Sequence, residues 1–278
     1  MTSPTAESAN TSSFSFDSNT VAETYQRILV PTFFRPWADV TLSYAGLTEH
    51  DCMLDLAAGP GTVAFRAAAR IPAAQIVATD LAAQMIDLGM TSSDPAAHQI
   101  RWVVSPAEDL PFDEGEFDVV VCQQGIQFFE NQQVAVAEAR RVLRTGGRFA
   151  AAVWAPIVEN PVYFALQQAL ARAGRPDLAE RIEKPFSFGA SDKLADLVTR
   201  SGFQNPVSHT ISLPVTYPGG VRQVYESYFA LPIGSDISAA GHLFEARLEE
   251  TLAVLLAPWI QGGQVVSYMS SHLIRAAA

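Results

Sequence analysis

An apolar run ends at Asp55 and breaks, four residues on, into Gly59, Pro60 and Gly61. A buried strand turning sharply into a helix has this pattern, and the glycines leave the backbone open to a ligand. The carboxylate narrows the choice. A phosphate cradle wants bare amide donors and little negative charge, whereas an acid just ahead of the turn suits a ligand carrying an ammonium group. Asp80 closes the next apolar run. No Ser-His-Asp order, carboxylate pair or zinc spacing accompanies these residues. The acidic group Asp113, Glu114, Glu116 and Asp118 has no His or Cys at ligand spacing, so no metal site is expected.

Such residues need a scaffold, and from Cys52 onward strand and helix patterns alternate. The spacing predicts strands over 53–56, 75–79, 100–104, 117–122 and 148–154. It predicts helices over 62–70 and 81–88, the latter closed by Gly89, and one capped by Asn131 that stops at Gly146. That rhythm belongs to a parallel sheet covered on both faces. Upstream, Thr20 and Glu23 form a capping box for a helix that carries Tyr25 and stops before Pro31. A second helical stretch, with Phe33, Phe34 and Trp37, ends at Gly46. After Trp154 the rhythm breaks. Asn160 and Pro161 cap and open a helix over 162–173, a short helix follows Pro176, and Ser191 caps one over 192–200. Strands are expected at 207–213 and 265–274, with helices at 221–230 and 243–256 between them. The expected organisation is a flexible tail over 1–19, an N-terminal helical cap over 20–50 and a cofactor-binding core over 51–155. Residues 156–278 then carry the last strands and helical insertions that form a lid over the substrate.

With 278 residues, 49% of them hydrophobic, the chain can bury one large core. A net charge of −11 disfavours nucleic acid and anionic membrane as partners of the surface as a whole. Cys52 and Cys122 sit in strand-like runs as free thiols, which fits a reducing compartment. The opening segment has neither the basic start nor the apolar centre of a signal peptide, and no apolar run is long enough to span a bilayer. A soluble cytoplasmic protein is the expectation.

Gly59-x-Gly61-x-x-Ala64, with Asp80 further on, formally satisfies the dinucleotide fingerprint of NAD enzymes, and an NAD-dependent oxidoreductase is one reading. Asp55 argues against it, because it would place a carboxylate near the pyrophosphate. The segment from Ala107 and Glu108 through Leu110, Pro111 and Phe112 adds a second pattern, and Gly146-Gly147-Arg148-Phe149 a third. Together with Asp55-x-Ala57-x-Gly59-x-Gly61 they resemble the class I S-adenosylmethionine-dependent methyltransferases. The likeness is greatest to the branch of the ubiquinone/menaquinone-biosynthesis methyltransferases, and it covers about half the chain.

The resemblance implies a Rossmann-like sheet of seven mostly parallel strands with helices on both faces, and S-adenosyl-L-methionine as cofactor. It places Asp55 at the methionine end of the cofactor, Ala57, Gly59 and Gly61 under it, and Asp80 on the ribose hydroxyls. It also places Leu81 and Met85 beside the adenine, Ala107 and Glu108 at the adenine edge, and Gln123 and Gln124 beside the methionine part. Phe16, Ala22 and Tyr25 fit a pattern that lays the first helix over the cofactor. Two departures stand out: Ala57 replaces a usual glycine, and Ser105-Pro106 replace a common Gly-Asp.

The acceptor side is less defined. Gln127 is positioned to orient a substrate hydroxyl or carboxylate, Trp154 reads equally as pocket wall or core, and His209 and His242 are the histidines in the substrate-shaping half. A small, partly apolar acceptor, with a role in secondary metabolism, is the expectation. A non-catalytic protein that keeps the fold is the remaining alternative. Methyl transfer from a sulfonium needs a base only when the nucleophile arrives protonated.

Overall fold

The computed structural model describes residues 25–231 and 233–278, with side chains from Ile28. Phe16, Ala22, the capping box and the expected tail lie outside the described residues, as does the side chain of Tyr25.

The strands are β1 (Cys52–Leu56), β2 (Gln75–Asp80), β3 (Ile100–Val104), β4 (Phe117–Gln123), β5 (Leu143–Trp154), β6 (Gln204–Tyr217), β7 (Ile260–Gln261) and β8 (Gln264–Ala277). They form one sheet in the order β3-β2-β1-β4-β5-β8-β6, with the two-residue β7 paired to β8. Seven strands were expected; the eighth is this short β7. β8 runs antiparallel to both β5 and β6, and the β1–β5 pairings are parallel. The chain order reverses direction between β1 and β4, and ligands of open α/β sheets bind in the crevice at the carboxyl ends of the strands flanking such a reversal. Asp55 stands there, in register with Ala78 on β2 and Val121 on β4.

Alternate residues of β1 go to opposite faces, as the pleat requires. Met53 packs with Val63, Ala64 and Ala67 of α2 (Thr62–Arg70) and with Ala38 and Leu42 of α1 (Arg35–Ala45). Leu54 and Leu56 belong to the other face, among Ala135 and Ala139 of α4 (Gln132–Val142) and Leu194 and Leu197 of α7 (Ser191–Arg200). The remaining helices are α3 (Ala83–Met90), α5 (Pro161–Arg172), α6 (Pro176–Glu183), α8 (Gly220–Ser227), α9 (Gly234–Ala239) and α10 (His242–Leu256).

β6 and β8 continue past the end of β5. Six pairs, from Ser212↔Ser270 to Tyr217↔Val265, project beyond the Trp154↔Ser271 contact. At about 3.4 Å per residue this arm reaches roughly 20 Å. Residues from both insertions and from the N-terminal segment pack on it in one buried cluster: Phe33, Trp37, Tyr163, Leu166, Tyr228 and Leu248 join Val215, Tyr217 and Met269.

Several expectations change in detail. The first helix does not stop before Pro31 but runs Tyr25–Phe34 in π form with Pro31 inside it. Gly89 lies inside α3, not at its end. The ring of Trp102 occupies the space a side chain there would need, because a Cβ on Gly89 would come within 2.4 Å of it. Asn160 precedes α5 without capping it. Its amide donates to the carbonyls of Ala155 (3.0 Å) and Pro156 (3.2 Å) and accepts from the Ser270 N–H (2.8 Å), tying the end of β5 to β8. Ser191 is the first residue of α7, with Ala190 at the cap position.

Candidate functional site

The turn after β1 is built from left-handed backbone: Ala57, Gly59 and Gly61 have φ of 56°, 56° and 85°. Such angles cost a residue with a side chain and cost glycine little. The two glycines are required for different reasons. A Cβ on Gly59 would meet nothing within 4 Å, so its open side faces free space. A Cβ on Gly61 would collide with Trp102 at 2.3 Å, so this glycine makes room for a ring of the protein itself. Trp102, held by an Nε1–H bond to the Ala97 carbonyl (3.1 Å), is a residue that reading the sequence missed. Nothing local marks it, since β3 brings it to the turn only through the sheet.

Ala57 also explains Gly125. A Cβ on Gly125 would lie 2.7 Å from that of Ala57, so the loop after β4 closes against the turn at bare backbone.

Asp55 is 1% exposed. Its Oδ2 accepts the N–H of Ala64 in α2 (2.9 Å), and its Oδ1 is buried with no partner. Burial, opposed by that hydrogen bond and reinforced by the nearby charge of Asp80, pushes its carboxyl up to about 8. Asp80 lies at the mouth of the same crevice. Its Oδ2 accepts from Gly59 N (2.8 Å) and its Oδ1 from Ala82 N (2.9 Å), while burial raises its pKa. Leu81, next along, is 72% exposed, and Met85 is buried.

The loop after β3 is clamped from α4. Arg141 donates to the carbonyls of Leu110 (3.0 Å) and Phe112 (2.8 Å), and Glu138 accepts from the Leu110 N–H (3.1 Å). Ala107, earlier in the same loop, is buried. Glu108 is half-buried and accepts from the Asn131 N–H at the start of α4 (3.2 Å). Ser105 turns its hydroxyl back onto the carbonyls of Pro106 and Asp109.

At the end of β4, Gln123 donates to the Phe34 carbonyl (3.0 Å) and accepts from the Thr41 hydroxyl (3.3 Å), so it anchors the N-terminal segment. Gln124, with φ of 57°, donates to Ser271 Oγ (2.9 Å) and accepts from Gln127 Nε2 (3.3 Å). The structure therefore brings Asp55, Ala57, Gly59, Asp80, Gln123, Gln124 and Gln127 to one end of the sheet.

It does not bring the histidines there. His209 is exposed on the edge strand β6, edge-on to Tyr44 (6.2 Å), and the His242 side chain is fully exposed at the start of α10. His272, buried on β8, has both ring nitrogens engaged, by Thr210 Oγ1 (2.8 Å) and the Gly189 carbonyl (2.9 Å). Trp154 belongs to the core: 6% exposed, it packs edge-on against Trp37 at 5.9 Å and lies against Phe186 at 6.2 Å. The Gly146-Gly147-Arg148-Phe149 motif lies at the opposite end of the sheet, where Arg148 pairs with Asp51 (2.6 Å) and donates to the Gly46 carbonyl.

The sheet order, the reversal between β1 and β4 and the acids at two adjacent strand ends define a Rossmann-like nucleoside-cofactor fold. Residues 54–151 match the methyltransferase domain family, and this part of the chain resembles the class I S-adenosylmethionine-dependent methyltransferases of the ubiquinone/menaquinone branch. The ubiquinone/menaquinone biosynthesis C-methyltransferase UbiE of Geobacter sp. (strain M21) is 28% identical over 211 residues, covering 72% of this chain and 87% of that protein. An uncharacterized protein of Mycobacterium bovis is 33% identical over 121 residues, 44% of this chain, and the match spans 43% of its length. The structure of a putative methyltransferase from an antibiotic biosynthesis pathway of Anabaena variabilis superposes with a TM-score of 0.59 at 15% identity, covering 87% of this chain and 97% of the other.

Proposed function

We propose that the protein transfers a methyl group from S-adenosyl-L-methionine to a small-molecule acceptor by in-line displacement. The observation that carries this reading is the Oδ1 of Asp55: a buried carboxylate oxygen without a partner, beside the glycine turn. An ammonium group supplies the donor that oxygen lacks, whereas a pyrophosphate brings it none. This weighs against the NAD reading, and Gly61 weighs with it, since Trp102 already accounts for that glycine.

Asp55 would meet the ammonium end of the cofactor, with Ala57 and the open side of Gly59 beneath it. Each oxygen of Asp80 accepts one backbone N–H and keeps lone-pair capacity for a ribose hydroxyl. Leu81 and Met85 would flank the adenine, Leu81 losing exposed apolar surface to it, with Ala107 and Glu108 at its edge. Gln123 and Gln124 would line the methionine part, and Tyr25 would cover it. The cofactor supplies an electrophilic methyl on a good leaving group. What the chain contributes is position and exclusion of water, from the aromatic cluster around Trp154 and the helices on the β6–β8 arm. The net charge of −11 favours a small-molecule acceptor over nucleic acid.

Calorimetric titration with S-adenosylhomocysteine tests this: binding is expected, weakened about tenfold or more in Asp80→Ala. No binding of either cofactor form, or enhanced NADH fluorescence on mixing, would overturn it.

A further inference from the structure

We propose that the cavity beside Gln127 receives the charged end of the acceptor, an organic acid that also bears a hydroxyl or amino donor. The inference rests on the methyltransferase reading and names the substrate class for that same site. The cavity, about 460 Å³, is bordered by Gln127, Ser187, Phe188, Lys193, Asp196 and Arg200, among others. Three observations bear on its occupant.

Gln127 Nε2 is used by Gln124, but its Oε1 is buried without a partner. A buried acceptor left open is costly, and a ligand donor satisfies it. Lys193 and Arg200 lie on α7 at a spacing of two turns and share the cavity wall. Asp196 is three residues from one and four from the other, the spacing of a helical ion pair, yet neither cation is paired with it or with another acid among the described residues. In a chain of net charge −11, a cavity wall that sets two cations against the single Asp196 carboxylate is locally positive and complements a ligand anion. The place is also right. Gln127 follows Gly125, which abuts Ala57 of the cofactor turn, and Phe186, next to Ser187, packs on Trp154 and Tyr163. Phe188 and Leu197 supply the apolar part of the cavity lining, so an acid with an apolar body meets apolar surface on one side and cations on the other.

The test is calorimetry of the full chain saturated with S-adenosylhomocysteine, using 4-hydroxybenzoate, 4-aminobenzoate and the neutral methyl ester of the former. The acids are expected to bind at least about tenfold more tightly than the ester. The Lys193→Ala/Arg200→Ala double variant removes that advantage and leaves the ester unchanged, and Gln127→Leu weakens acids and ester alike. Equal binding of acid and ester, an unaltered acid affinity in the double variant, or no binding of either acid overturns the proposal. Titration with S-adenosylhomocysteine alone separates the two readings. Its failure removes the methyltransferase function, and the acids titrated without it still report on the cavity; its success without charge-dependent acid binding removes only the present inference.

Discussion

The side chain of Ala57 occupies the space that a side chain on Gly125 would need, with a projected Cβ–Cβ separation of 2.7 Å and the Cys122 sulfur only 2.9 Å away. Two loops, after β1 and after β4, are thereby fitted to each other at the centre of the crevice. Gly125→Ala is expected to cost about 1–3 kcal/mol by overpacking. Ala57→Gly, which also relieves a left-handed φ, recovers part of that loss in the double variant. A double-mutant cycle by urea unfolding measures the coupling, and additive effects would disprove the fit.

Asp55 makes the stability of the ligand-free protein depend on pH. Its folded pKa of about 8 stands above the ordinary value of 3.8, so over that interval the unfolded chain binds fewer protons and stability falls as pH rises. Thermal unfolding between pH 5 and pH 8 is expected to show this decline, and Asp55→Asn to flatten it.

The same group couples to ligand binding. An ammonium beside Asp55 favours the carboxylate, so below about pH 8 binding of S-adenosylhomocysteine releases a proton and tightens as pH rises. Calorimetry in buffers of different ionisation enthalpy reads the proton directly. A binding heat that is independent of the buffer would contradict the assignment.

Asn160 satisfies three backbone groups at the junction of β5, α5 and β8 and is fully buried. Asn160→Ala strands them, at a cost of about 3 kcal/mol or more, visible as a lowered urea midpoint. Asn160→Asp keeps only the acceptor and is expected to be little better.

His209→Ala and His242→Ala are expected to leave cofactor affinity and methyl transfer within about twofold of the parent, because exposed substitutions away from a site change little. Loss of turnover in either variant would return that histidine to the acceptor side.

Much of this arrangement was legible in the chain itself. The alternation of apolar runs with amphipathic segments fixes a parallel core, since strands buried on both faces must be hydrophobic and their crossovers must cover them. Asp55, Gly59 and Asp80 are legible for a related reason: a strand end, a turn and a helix start lie within a few residues of one another, so local pattern and site geometry coincide. The motif at Gly146–Phe149 was equally visible, although its place at the far end of the sheet was not.

What the tertiary structure decided involves contacts between segments distant in sequence. Gly89 is explained only by Trp102, which the sheet carries over from β3, and the same ring adds a steric reason to the left-handed φ of Gly61. Asn160 reads as a helix cap, but burial gives its amide to β8. The histidines of the second half have no local feature that separates an edge strand from a pocket, and the fold puts His209 and His242 at the surface and His272 in a satisfied interior. Local pattern records which backbone a segment prefers and which face it buries. Only packing determines which distant side chain fills the space beside a glycine, and which buried oxygen is left without a partner.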